Sequence, residues 1–76
     1  MMEWTEDVVR EHLPNVQVQI EGRLHTGSVY GRLNEFAHVT IKGESLRGMP
    51  YQGHTIFEFS WAALVRSLNT NTPLLV

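Results

Sequence analysis

The chain of 76 residues has no cysteine. That excludes a disulfide framework and a thiolate-ligated zinc site as sources of stability. Long apolar runs are also missing. No stretch approaches the ~18 consecutive apolar residues that a membrane-crossing helix needs. No basic, then apolar, then small-residue leader opens the chain, so the expected location is cytoplasmic. Positive charge is scarce: Lys and Arg number 6 against 8 Asp and Glu, for a net charge of −2. A global positive field that would draw in nucleic acid is therefore excluded, although a local basic patch is not. Lys42 is the only lysine, and the other cations are Arg10, Arg23, Arg32, Arg47 and Arg66. Guanidinium groups suit planar, bidentate contact with phosphate or carboxylate.

What is present fits a folded globular chain, with 42% apolar and 18% charged residues. The length predicts a single domain over residues 1–76. A chain this small buries only about 60% of the surface its unfolded form exposes, so its core is small. Burial against another chain is therefore expected from size alone.

"WTEDVVREHLP" predicts a short N-terminal helix. Thr5 is the expected N-cap, with Glu6 and Asp7 in the first turn, where carboxylates complement the helix dipole. Trp4 and Val9 stand at the positions of a hydrophobic staple, and Pro14 stops the helix. "VQVQI" alternates as a strand, with Val16, Val18 and Ile20 on one face. Glu21–Gly22 predicts a tight hairpin turn. In the next run, Arg23 to Arg32, Leu24 and Val29 are expected to point inward although their parity differs. Such a switch of face calls for a bulge or sharp bend, and Gly27 is where it is expected, with Gly31 permitting a second. Strongly bent strands are what a small barrel requires. A turn is expected at Asn34–Glu35. "FAHVTIK" then reads as a strand with Ala37, Val39 and Ile41 on one face. "GESLRGMPYQG" reads as a loop of about ten residues. "HTIFEF" reads as a strand with Phe57 and Phe59 inward. Ser60 is the expected N-cap of a second helix, in which Trp61, Leu64, Val65 and Leu68 share a face. "LLV" reads as a last short strand or an apolar tail. The expected fold is thus mainly β with flanking helices: a small, strongly bent antiparallel β-barrel with an N-terminal helix and a short C-terminal helix. The competing architecture is an open antiparallel sheet with both helices on one face.

"VQVQIEGRLHTGSVYGRLNEFAHVTI" resembles the first half of the Sm and Sm-like fold. Gly22 and Gly27 match that family's two glycines, and "LNEF" falls near its Phe-Asp pair. "LRG" at 46–48 resembles its "Ile-Arg-Gly" signature, while Ala37 and His38 stand where the family has Met and Asn. The same segment, together with "TIFEFSWAALVRSL", is similar to SH3-like barrels, among them the small plasmid-borne dihydrofolate reductases. Ala62, Ala63 and Leu64 match an "Ala-Ala-Leu" stretch there. The catalytic "Val-Gln-Ile-Tyr" strand of those enzymes falls on "TIFE", which lacks the Gln and the Tyr, so the resemblance does not carry that activity over. Both resemblances imply a small SH3-like or Sm-like β-barrel.

No catalytic constellation stands out. Ser60 is accounted for as a cap, and no nucleophile-elbow or phosphate-binding glycine loop occurs. Glu58 alternates with Phe57 and Phe59 and is expected to face outward. His12, His25, His38 and His54 have no metal-ligand spacing, so no metal and no cofactor are expected. Arg23, His25, Arg32 and Arg47, with Tyr30 and Tyr51, are the candidate basic and aromatic patch. Small barrels bind single-stranded nucleic acid by stacking bases on aromatic rings while cations hold the phosphates. Trp4, Leu74, Leu75 and Val76 are surplus apolar residues for so small a core, and are the candidate interface with a protein partner or a second copy. The expected function is a non-enzymatic, accessory or regulatory small-barrel module that binds protein and forms a homo-oligomer. Two alternatives are an Sm-like binder of single-stranded RNA or DNA, and a small oligomeric enzyme with its site at a symmetry axis.

Overall fold

A computed structural model of the chain describes residues 3–30, 36–43 and 47–76, with Tyr30 described by its backbone only. The expected turn at Asn34–Glu35 and the expected bend at Gly31 lie outside the described residues, as does Arg32. The elements are α1 (Glu6–His12), β1 (Asn15–Ile20), β2 (Arg23–Tyr30), β3 (Phe36–Lys42), β4 (Met49–Tyr51), β5 (His54–Ser60), α2 (Trp61–Thr70) and β6 (Leu74–Leu75). They build a mainly β domain around one six-stranded sheet of order β4-β5-β3-β2-β1-β6. The sheet curls into a half-barrel, and its edge strands β4 and β6 do not pair with each other.

The local devices follow the sequence closely. Thr5 caps α1 by accepting from the Val8 backbone N–H, and Ser60 caps α2 by accepting from that of Ala63. Glu21 and Gly22 both take positive φ, +50° and +81°, which makes the two-residue turn whose twist matches a hairpin. Gln52 and Gly53 repeat the device with φ of +46° and +84°. That second hairpin corrects the long-loop expectation, because β4 forms inside "GESLRGMPYQG" and pairs with β5. Pro50 is tolerated there because β4 is an edge. The tight turn makes Tyr51↔His54 a hydrogen-bonded pair, so the adjacent Pro50↔Thr55 is a non-bonded one that needs no donor.

The turn at 21–22 also corrects the reading of β2. It sets Ile20 opposite Arg23, and the register then runs unbroken to Asn15↔Ser28. Arg23, His25, Gly27 and Val29 therefore share the inner face, while Leu24 is turned to the outer one and is 61% exposed. There is no switch of face and no bulge at Gly27. The residue is glycine for a different reason: a Cβ built there would lie 2.5 Å from Val39 Cγ1. Close approach of β2 to β3 excludes a side chain at this point.

The inner face carries the core. Val16, Val18 and Ile20 of β1, Val29 of β2, Ala37, Val39 and Ile41 of β3, and Phe57 of β5 cluster with Val9, Trp61, Leu64 and Leu74. Helix α2 lies across this face, touching β1, β3, β5 and β6, and α1 packs on α2. The Arg10 guanidinium sits 4.4 Å from the centre of the Trp61 ring and reaches Glu6 at 2.7 Å, fastening α1 to the start of α2. At the other end of α2, the Asn69 side-chain amide accepts from the Trp4 N–H at 2.8 Å and donates to the Trp4 C=O at 2.9 Å. The "LLV" segment resolves into β6, parallel to β1, with Leu74 opposite Val18 and the Val76 N–H donating to the Gln19 C=O at 3.0 Å.

Candidate interaction surface

The residues of the expected basic and aromatic patch are spread over the domain. Arg23 and His25 lie on the inner side of β2, opposite Ile20 and Val18, with Arg23 exposed and His25 half-buried. Tyr30 ends the same strand opposite His38, about 23 Å from Arg23 at the rise of a strand. Arg47 stands beside the β1–β2 turn, where its guanidinium comes within 3.5 Å of the Glu21 carboxylate. Both side chains are well exposed, so this ion pair contributes little. Tyr51 is exposed on the outer face, next to His54. Two opposite faces of the sheet thus divide these residues.

The expected interface residues divide as well. Leu74 belongs to the core, and Trp4 is half-buried against it with its ring edge-on to His12. Leu75 and Val76 are exposed, by 72% and 52%. Leu75 sits opposite Gln19, which in turn faces Leu24 across β1 and β2, so the two exposed leucines flank one glutamine on the outer face. Beside this edge, a cleft of about 620 Å³ opens between Asn15–Gln17 of β1 and Asn71–Pro73 after α2.

The outer face has two halves of different character. Across the middle of β1 and β2 it is a ladder of polar side chains, with Leu24 exposed at the end of β2 next to the turn. Gln17 Nε2 donates to Thr26 Oγ1 at 3.2 Å, and Ser28 Oγ donates to Asn15 Oδ1 at 3.2 Å. Thr40 Oγ1 of β3 reaches the Ser28 C=O at 3.4 Å. Such a ladder is well satisfied in water. Across β3, β5 and β4 the same face exposes Phe36, Met49 and Tyr51, at 46%, 53% and 54%. Between them Ile56 is buried, flanked in register by Thr40 and Met49. Next to it His38 Nε2 and Glu58 Oε2 meet at 3.2 Å as direct cross-strand partners. Alternation in "FAHVTIK" and "HTIFEF" turns both side chains outward, but only the β3–β5 register brings them together.

Among the described residues no group of three or more His, Asp or Glu side chains is placed to hold a metal ion. No helix among them is long and apolar enough to cross a membrane. No protein-family model, no curated protein and no solved structure matches this chain.

Proposed function

We propose that this chain is a non-enzymatic interaction module that binds protein and self-associates through the outer face of β3, β5 and β4. One observation carries the reading. Both helices serve the inner face, and among the described residues the outer one displays Phe36, Met49 and Tyr51, with the His38–Glu58 pair between the levels of Phe36 and Met49, and Lys42 and His54 level with Tyr51. Singly scattered apolar residues are ordinary on a small protein, but these three lie on one face of three adjacent strands. Exposed aromatic and methionine side chains interleaved with a few polar ones are the composition of a protein-binding surface. The same reading takes the curled half-barrel as a relative of the SH3-like and Sm-like barrels. Its support is the order of elements, a helix and a three-stranded meander followed by a strand that runs directly into a helix. The division of Arg23, His25 and Tyr51 between two faces counts against a phosphate-holding groove and favours protein over nucleic acid.

The test is molar mass by light scattering behind a sizing column, over a concentration series. The expected result is a mass above the monomer's 8.7 kDa that rises with concentration. The double variant Met49→Glu/Tyr51→Glu should return it to the monomer value with an unchanged far-ultraviolet circular dichroism spectrum. A double variant that associates as the native chain does would refute this surface.

A further inference from the structure

We propose that the open edge of β6 takes an extended, acidic segment of a partner protein as an added strand, with a carboxylate of that segment on Arg66. The inference goes beyond the function proposed above, because it places a protein ligand at the edge of the sheet farthest from β4. Both edges are open, but they differ as templates for another strand. In β4, Tyr51 and His54 flank the tight turn as a hydrogen-bonded pair, so the backbone of Pro50 is turned outward, and a proline has no N–H to give. In β6 the residue turned outward is a leucine. The Val76 N–H donates to the Gln19 C=O, so Leu74 and Val76 are engaged with β1, and the N–H and C=O of Leu75 point away from it. A strand laid antiparallel along β6 meets Leu75 in a pair that exchanges both bonds.

Space for such a segment already exists. A cleft of about 470 Å³ lies between Ala63, Arg66 and Ser67 of α2 and the chain from Thr72 to Leu75. Ala63 and Arg66 are three residues apart and so share one side of α2, where the small alanine leaves room beside the arginine. Strand alternation then sets the pattern of the ligand. Its residue opposite Leu75 turns to the outer face, where the Leu75 side chain is 72% exposed and offers an apolar contact. The residues before and after it turn to the inner face, which carries α2, and so towards Arg66.

Charge selects the ligand. Among the described residues Arg66 is the one charged group lining the cleft. It is exposed, and no described carboxylate pairs with it, since Glu6 meets Arg10, Glu58 meets His38 and Glu21 meets Arg47. A guanidinium holds a carboxylate in a bidentate fork. The segment that fits is therefore an apolar residue with an acidic one on either side. An exposed ion pair contributes little and the edge is short, so an isolated peptide binds weakly, with a dissociation constant in the ~millimolar range.

The experiment is a titration of the full chain with the peptide N-acetyl-Thr-Glu-Val-Glu-Thr-amide at millimolar concentration. Amide chemical shifts should move at Leu74 to Val76 and at Ala63 to Ser67, and less so as salt rises. The same peptide with Gln for both Glu should bind about two- to fivefold less tightly. The peptide with N-methyl valine, which cannot donate to the Leu75 C=O, should produce no shifts there. In Arg66→Glu the preference should invert, so that N-acetyl-Thr-Lys-Val-Lys-Thr-amide binds better than the Glu peptide. Arg66 is exposed, so this variant should keep the native circular dichroism spectrum. Shifts confined to β3, β5 and β4, equal binding of the Glu and Gln peptides, undiminished binding of the N-methyl peptide, or no shifts at all would overturn the proposal. Self-association through the outer face is read separately, from the molar mass of the peptide-free chain, and Arg66→Glu should leave it unchanged. Either reading can thus fail without the other.

Discussion

Gly27 offers the sharpest test of how the sheet is packed. It lies in regular strand, in register with Val16 and with no positive φ, so alanine there incurs no backbone strain. Backbone conformation alone therefore predicts a gain. Replacing glycine with alanine at a compatible position stabilises by about 0.4–1 kcal/mol, through lost freedom of the unfolded chain. Packing predicts the opposite. The new Cβ would stand 2.5 Å from Val39 Cγ1, 3.3 Å from Ile41 Cγ1 and 3.4 Å from the Thr40 carbonyl oxygen. Contact at 2.5 Å is well inside the ~3.5–4.0 Å optimum for two carbons, so something must move. Val39 cannot swing aside cheaply, since it is β-branched, fully buried and paired with both Val29 and Phe57. Overpacking a well-filled core costs about 1–3 kcal/mol. The net for Gly27→Ala is a loss of about 1–2 kcal/mol, which lowers Tm by roughly 5–15 °C in a domain of this size.

Urea denaturation followed by tryptophan fluorescence reads this directly, and a companion variant isolates the cause. Val39→Ala removes the methyl that the new Cβ would strike, and alone it costs a few kcal/mol at most as a cavity. In the double variant the new methyl moves into the space the old ones left. The two losses should therefore fall short of adding, by about 1 kcal/mol or more. A Gly27→Ala protein as stable as the native one, or strict additivity in the double variant, would show that β2 does not approach β3 as described.

Two further outcomes follow from single contacts. Asn69→Ala removes both hydrogen bonds to the Trp4 backbone and should cost about 1–2 kcal/mol, with hydrogen exchange rising in α1 before the sheet; an unchanged Tm would mean that Asn69 does not tie down the N-terminal segment. Ser60→Ala should cost about 1 kcal/mol and Ser60→Asp almost nothing, because the carboxylate can accept from the Ala63 N–H in the hydroxyl's place.

The parts of this fold that were legible in the sequence are those decided within a few residues. A hydroxyl before an apolar helical stripe, a Glu-Gly pair between alternating runs, and the alternation of "VQVQI" and "FAHVTIK" each have one good local solution, and the chain adopts it. The parts that were misread depend on two segments at once. Val29 faces inward, and so does the parity of Arg23, because the turn at 21–22 dictates the register from its own end. The face of Leu24 is thus decided by turn geometry against the leucine's own preference for the core. The loop reading of "GESLRGMPYQG" failed for a similar reason. Pro50 and the nearby glycines argue against a central strand, yet an edge strand of three residues closed by a Gln-Gly turn meets none of those objections.

The same distinction explains why the expected patch is divided between two faces while His38 and Glu58, which the sequence did not join, come together. A patch assembled from residue types, arginines with tyrosines, assumes a shared face, and Arg23 and Tyr51 show that sequence proximity to a turn does not grant one. The His38–Glu58 pair is separated by 20 residues, and each side chain taken alone is an ordinary outward-facing strand residue. What makes the pair distinctive is the β3–β5 register, which is fixed by the inward row of Ala37, Val39 and Ile41 against Phe59, Phe57 and Thr55. A slip of one residue would put that entire row in water and hide His38 in the core. The apolar pattern of the inner face therefore positions the polar pair of the outer one, and any change that loosens the core, such as a methyl at Gly27, also loosens the geometry of the face proposed for self-association. Association measured across the Gly27 and Val39 variants should accordingly weaken in step with their stability, although none of the altered atoms lies on the contacting face.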